Sequence, residues 1–281
     1  NEAPPVPPAV WEAVAAASAR VPLERYPDAR ALELKEAIAA RTGAPVSSLV
    51  VGTGSDELIS LVATACGRAR GRMAQAAFVA PTPTFVMYRV TSRAHGLRAV
   101  DVPLDAAWDL DVAAMKRALE MVEPNVIFVA SPNNPAGNRM SRDRIEAVVT
   151  AAQDTLVVID EAYVDFAAQG SLRALREQYD NVAILRTLSK IGLAAVRVGW
   201  LEASEWIARA LDKTRQPFNV SATSQAAAIA VLRDAWGAVR EHVDAVVVER
   251  GRVAEAIGEI GGARALPSEA NFVWVETEKP A

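Results

Sequence analysis

The chain has 281 residues, 51% of them hydrophobic and 23% charged, with a formal net charge of −4. That balance excludes a disordered chain and provides for a large core with room for a second, smaller domain. No Lys/Arg-rich run is interleaved with aromatics and no apolar run approaches the ~18 to 20 residues that span a bilayer, so no nucleic-acid or membrane partner is expected and the ligand is a small molecule.

The single cysteine, Cys66, excludes an internal disulfide and a thiolate metal cluster. His95 and His242 lie far apart without carboxylates at metal-ligand spacing, so no metal is expected. Cys66 falls in the apolar helical stretch LISLVATAC and reads as a buried structural thiol, and His95 as a surface residue near a helix end. With no basic-then-apolar leader, the expected location is the cytoplasm.

In chain order, NEAPPVPPAV is too rich in proline to be helical throughout and reads as an extended arm. A short helix follows from Val10 to Ser18, then a turn at Tyr26-Pro27-Asp28 that leads into an amphipathic helix. From there β-rich runs alternate with helical patterns: SLVV, SDELISLVATAC, AAFVA, FVMYRVTSRA, LRAVDV, DVAAMKRALEMV, NVIFVAS, SRDRIEAVVTAAQ, TLVVID, NVAILRT and VRVGWL. The strands are continuous apolar runs rather than alternating ones, which signals burial on both faces. An α/β domain with a mainly parallel sheet flanked by helices is predicted. After about Glu202 come the helical segments SEWIARALDKTR and SATSQAAAIAVLRDAWGAVREHVDAVVVERGRVAEAIGEI, then two short strands, ARAL and NFVWVE.

Ligands of open α/β sheets sit beyond the carboxyl ends of the strands, and four clusters fall there. In VVGTGSDELI, a strand runs through Gly52 and Gly54 into a helix opened by Ser55 and Asp56. Such a start offers unpaired N–H groups to an anion, although an ordinary serine N-cap accounts for the same string. It lacks the lysine of a P-loop and the third glycine of a dinucleotide fingerprint. In VIFVASPNNPAG, Pro132 and Pro135 fix a turn that holds Asn133 and Asn134 at a strand end.

In TLVVIDEAY, Asp160 follows four apolar β-formers. Burying its carboxylate is costly unless a cation meets it, and a protonated ring nitrogen would serve; capping of the next turn is the plainer alternative. Tyr163 adds a phenol at another height. In TLSKIGLAAVRVGW, Lys190 follows the hydroxyls of Thr187 and Ser189 and supplies an amine suited to a Schiff base, while Arg197 can fork onto a phosphate. A cradle, a carboxylate, a phenol, an amide and a lysine are together what pyridoxal 5'-phosphate requires.

GTGSDE, PNNPAG, DEAY and TLSK with its following arginine, in this order along the chain, resemble the fold-type-I aminotransferases of the aspartate aminotransferase superfamily. The NEAP arm and RYPD before a helix are especially similar to the histidinol-phosphate aminotransferase family. The resemblance implies that Lys190 bonds the cofactor, Asp160 pairs with its ring nitrogen, and Asn134 and Tyr163 bind its ring oxygen. It implies a phosphate site of Ser55 and Asp56 backbone amides with the side chains of Thr187, Ser189 and Arg197, and an aromatic stack from Phe85. It also implies a homodimer in which Tyr26 reaches the partner's phosphate.

The expected organisation is an arm (residues 1–26), a large cofactor-binding domain (27–215) and part of a small C-terminal domain (216–281). Two features depart from the family. The spacing from Lys190 to Arg197 is one position shorter than in many members. The family also continues past the SEANFVWVE-like strand into a segment whose arginines hold the substrate's acidic group, so the small domain is expected to be incomplete. The implied activity is amino transfer between L-histidinol phosphate and 2-oxoglutarate. Alternatives are an aminotransferase for aromatic or other amino acids, a lyase or decarboxylase of a phosphorylated amino acid, and a non-catalytic module that keeps the fold.

Overall fold

The computed structural model describes residues 3–278; residues 1 and 2 of the expected arm lie outside them. Nine strands and ten α-helices are found among the described residues. The chain enters through α1 (Pro8–Ser18), which carries a proline at its first position, where a missing N–H costs nothing. The predicted turn before α2 (Leu32–Thr42) is held by Asp28, whose carboxylate accepts from the N–H groups of Arg30 (3.0 Å) and Leu32 (2.7 Å). Those bonds hold the Asp28 carboxyl below the ordinary carboxylate range.

The α/β unit then runs β1 (Leu49–Gly52), α3 (Gly54–Ala65), β2 (Ala77–Thr82), α4 (Met87–Ala94), β3 (Arg98–Pro103), α5 (Val112–Val122), β4 (Val126–Ala130), α6 (Arg142–Ala151), β5 (Leu156–Asp160), α7 (Arg173–Gln178), β6 (Val182–Thr187) and β7 (Gly199–Glu202). These seven strands form one sheet in the order β1-β7-β6-β5-β4-β2-β3. Strand β7 is antiparallel to both its neighbours and the other pairs are parallel, as the continuous apolar runs predict.

Side chains of a strand alternate between faces, and here both faces are buried. Phe128, Val158 and Leu185 point into a layer closed by Leu58 and Val62 of α3 and by Ile207 and Leu211 of α8 (Glu205–Asp212). Ile127, Val157 and Ile184 point the other way, against Met115 of α5 and Val148 of α6. A third apolar cluster joins α1 and α2 to Trp200 of β7 and to α9 (Ala222–Asp234) and α10 (Trp236–Gly258). Each fully buried Ile or Phe contributes about 1.5–3 kcal/mol.

Register decides what lies at the ligand edge. Ala130 stands beside Asp160, and Asp160 beside Leu185, so the segments that leave β4, β5 and β6 emerge side by side. Gly199, the first residue of β7, pairs with Thr187 at the end of β6 and with Gly52 at the end of β1. It thereby adjoins the start of α3.

Three sequence expectations are corrected. The long helix expected over residues 221–260 is two helices, broken at Ala235 (φ −118°, ψ 10°), so that Val239 and Val243 of α10 join the same core as Val231 and Leu232 of α9. The strand VRVGWL begins only at Gly199, because Arg197 adopts a left-handed conformation (φ 54°). Of NFVWVE only the end is extended, as β9 (Val275–Thr277) against β8 (Ala263–Ala265). Phe272 and Trp274 instead pack on Tyr163 and Trp108 of the large sheet's loops, at ring separations of 5.2 and 5.9 Å. Helix α7 was not anticipated. No helix of the described residues is long and apolar enough to cross a membrane.

Candidate active site

A cavity of about 280 Å³ opens at the carboxyl ends of β4, β5 and β6 and at the start of α3. Nine of the residues singled out in the sequence line it: Ser55 and Asp56 from α3, Phe85 ahead of α4, Asn134, Asp160, Tyr163, Ser189, Lys190 and Arg197.

One end is built for an anion. Helix α3 is twelve residues long and presents its N-terminus to the cavity through Ser55 and Asp56, where free N–H groups and the helix dipole favour negative charge. Close backbone approach makes this end possible. A Cβ on Gly199 would lie 2.8 Å from the Gly54 carbonyl carbon and 3.0 Å from the Ser55 nitrogen, and one on Gly54 (φ +78°) would lie 2.7 Å from Arg197 Nη2. The left-handed turn at Arg197 carries its guanidinium back to the same place, 3.4 Å from Ser189 Oγ and 3.9 Å from Asp56 Oδ2. Behind it, Asn219 donates to Glu57 Oε2 (2.9 Å) and its carbonyl accepts from Thr53 Oγ1 (2.6 Å), which fixes the loop that enters α3.

The other end holds a buried carboxylate. Asp160 is 4% exposed, and burial pushes its carboxyl above the ordinary value of 3.8. Three things pull the other way: the Tyr88 hydroxyl donating to Oδ2 at 2.6 Å, the Ala162 N–H donating to Oδ1 at 3.0 Å, and the positive charge of Lys190. Lys190 Nζ stands 5.5 Å from the centre of the Tyr163 ring, so amine and phenol occupy one wall. The neighbouring Glu161, also buried, points away and ties down the next loop through Ser171 Oγ (2.6 Å) and the Leu172 N–H.

The paired asparagines divide their roles. Asn134 lines the cavity, whereas Asn133 is fully buried and braces the turn by accepting from Thr84 Oγ1 (2.9 Å) and donating to the Pro83 carbonyl (3.0 Å). Thr187 does not reach the cavity; it is 2% exposed, and its hydroxyl accepts from the Ser189 N–H (3.1 Å) and donates within the loop, so it sets the position of Ser189. Tyr26 does not line the cavity; it is 83% exposed and stacked on Phe218 at 4.8 Å. Cys66 is a partly buried thiol that burial pushes up to about 11, and His95 caps the end of α4.

Sequence reasoning passed over Tyr88. It lies three residues after Phe85, one helical turn on, and that spacing could have placed both rings on one face. It also passed over Asn271, whose side-chain amide approaches the Lys190 carbonyl at 3.4 Å. Among the described residues no group of three or more His, Cys, Asp or Glu is placed to hold a metal.

A family model for aminotransferase class I and II matches residues 1–281. The chain is 40% identical over 272 residues to a histidinol-phosphate aminotransferase of Chromobacterium violaceum, covering 96% of this chain and 74% of that one. It is 39% identical over 290 residues to the enzyme of the same name from Acidovorax sp., covering 98% and 75%. Among solved structures, the histidinol-phosphate aminotransferase of Sinorhizobium meliloti in complex with pyridoxal-5'-phosphate superposes with a TM-score of 0.88 at 29% identity, over 99% of this chain and 74% of that chain. With an amine, a buried carboxylate and an anion cradle gathered at the sheet edge, and with this match along its whole length, the chain belongs to the class I and II aminotransferases, a family of pyridoxal 5'-phosphate-dependent transferases.

Proposed function

We propose that the protein moves an amino group between L-histidinol phosphate and 2-oxoglutarate, giving imidazole acetol phosphate and glutamate in histidine biosynthesis. The observation that carries the cofactor half of this reading is that Lys190, Asp160, and the α3 N-terminus with Arg197 open onto a single cavity. The substrate half is supported by the relatives of that name at about 40% identity.

The donor set fits pyridoxal 5'-phosphate: the glycines at 54 and 199 let β7, the start of α3 and the Arg197 guanidinium come together at the anion end, and a buried carboxylate lines the same cavity. When bound, the cofactor supplies an aldehyde and an electron-withdrawing ring. Ser55, Asp56, Ser189 and Arg197 would hold its phosphate, with Thr187 fixing Ser189 from behind. Asp160 would accept the ring N–H and keep that nitrogen protonated, Asn134 and Tyr163 would bind the ring oxygen, and Phe85 would stack on the ring; all four line the cavity. Lys190 Nζ would make the covalent attachment to the cofactor's aldehyde, and its amine would hold or move a proton beside the substrate.

The reading includes a homodimer in the cytoplasm, with Tyr26 directed to the partner's phosphate; the exposed Tyr26 ring on Phe218 is the feature that supports it. It also assigns residues 27–215 to the large domain and 216–281 to part of the small one, in keeping with α9, α10 and the β8–β9 ribbon standing outside the seven-stranded sheet.

Amine transfer from glutamate to imidazole acetol phosphate, compared with phenylpyruvate, tests the substrate; a faster rate on phenylpyruvate refutes it. Borohydride reduction after incubation with cofactor tests the attachment. Wild type should show a reducible linkage that Lys190→Ala lacks, with turnover down by at least ~10²- to 10⁴-fold. Wild type without that linkage refutes the cofactor role of Lys190.

A further inference from the structure

We propose that Tyr88 is a positioning residue that acts through Asp160, holding its carboxylate charged and turned to receive a protonated ring nitrogen. The inference rests on the cofactor reading above and goes beyond it to a residue in α4, outside every motif that carries the family resemblance.

The geometry gives each oxygen of Asp160 one fixed donor, the Tyr88 O–H on Oδ2 at 2.6 Å and the Ala162 N–H on Oδ1 at 3.0 Å. Both donors belong to the cavity wall, and each oxygen keeps a lone pair for a ligand N–H. A carboxylate so deeply buried takes up a proton unless donors or cations meet it. Tyr88 is the donor whose loss leaves the backbone intact. Its own proton stays on the phenol, because burial and the adjacent carboxylate both push the Tyr88 hydroxyl well above its ordinary range.

The phenol has little freedom to turn aside. Tyr88 is 2% exposed, and its ring lies parallel to Phe128 at 4.6 Å and 5°, with Phe85 set edge-on at 5.6 Å. Its carbonyl accepts from Ser92 Oγ at 2.6 Å within α4. Aromatic packing thus aims one hydroxyl at one carboxylate oxygen. The same Phe85 that faces the cavity is part of that packing, so ring stacking and carboxylate placement share a support.

Two probes separate this role from simple packing. One is pyridoxal 5'-phosphate; the other is its carbocyclic analogue, in which a C–H replaces the ring nitrogen. Both are titrated into the apoprotein and followed by quenching of tryptophan fluorescence. Wild type should prefer the nitrogen-bearing probe. Tyr88→Phe should cut that preference about tenfold, the loss matching one charge-assisted hydrogen bond, with affinity for the carbocyclic probe unchanged. Because the ratio is taken on the same preparation, a reduced folded fraction cancels. Asp160→Asn should abolish the preference, and the double variant should show no additional loss. Equal weakening of both probes by Tyr88→Phe overturns the proposal and leaves the cofactor reading standing. Wild type that binds neither probe overturns both.

Discussion

Gly199 supports the anion cradle from behind, and Gly199→Ala tests that design. A methyl there would stand 2.8 Å from the Gly54 carbonyl carbon, 2.9 Å from the Arg186 carbonyl oxygen and 3.0 Å from the Ser55 nitrogen. All three are backbone atoms, so no side-chain rotation relieves the contact. Reaching ordinary van der Waals distance requires β7 and the start of α3 to part by roughly half an ångström, and overpacking of this kind costs about 1–3 kcal/mol. The displacement falls on the N–H groups assigned to the phosphate, so affinity should suffer selectively. Urea denaturation of the apoprotein measures the first effect. Titration with pyridoxal 5'-phosphate and with unphosphorylated pyridoxal measures the second. The phosphorylated compound should lose about tenfold, equivalent to ~1.4 kcal/mol, and the unphosphorylated one little. Unchanged stability, or equal losses on the two compounds, refutes the reasoning.

Two further outcomes follow from buried charge. Since burial raises the Asp160 carboxyl above 3.8, the folded apoprotein retains a proton that the unfolded chain has released, so the stability this group provides at acid pH is lost as pH rises through the folded value. The melting temperature of Asp160→Asn apoprotein should therefore gain on wild type as pH rises from the ordinary carboxylate value through the raised one, and a gain that shrinks with pH contradicts the assignment. Glu202, 3% exposed, meets Arg173 Nε at 2.9 Å and lies 3.6 Å from Arg176 Nε. Glu202→Ala should cost about 3 kcal/mol in urea denaturation, the low end for a broken buried pair because Glu177 still meets Arg173; a loss below ~1 kcal/mol means that solvent replaces the carboxylate.

The parallel sheet was legible because burial on both faces leaves runs such as VIFVA and LVVID without polar alternation. The cavity was legible because strand ends bring distant residues together. Asp160 and Lys190 could be paired before any coordinates, since each is costly to bury unless something at the sheet edge meets it. Contacts over long sequence separation were not legible. The glycine of AWGAV, Gly237, lies inside α10 and not at the break, so no local signal marks Ala235, which is set by how α9 and α10 share one core. The six residues of α7 are too few for a period to declare itself. Thr187 and Ser189 look equivalent in TLS, yet the first ends β6 and is buried, while the second opens the tight helical turn that follows and lines the cavity. Tyr88 sits unremarked in the helical stretch FVMYRVTSRA, and only its 2.6 Å contact with Asp160 shows what its hydroxyl does.

The loop that returns from α10 reaches three walls of the site. Glu269 donates its N–H to the Gly137 carbonyl at 2.7 Å, Asn271 touches the lysine's carbonyl, and Phe272 stands edge-on to Tyr163. A small rotation of that long helix about its axis is therefore transmitted to the lysine loop, the asparagine turn and the phenol in concert. Selection for a new substrate in this scaffold should accumulate changes along the exposed length of α10, because a single distant tilt shifts the lysine, asparagine and phenol walls together without replacing any group that reacts.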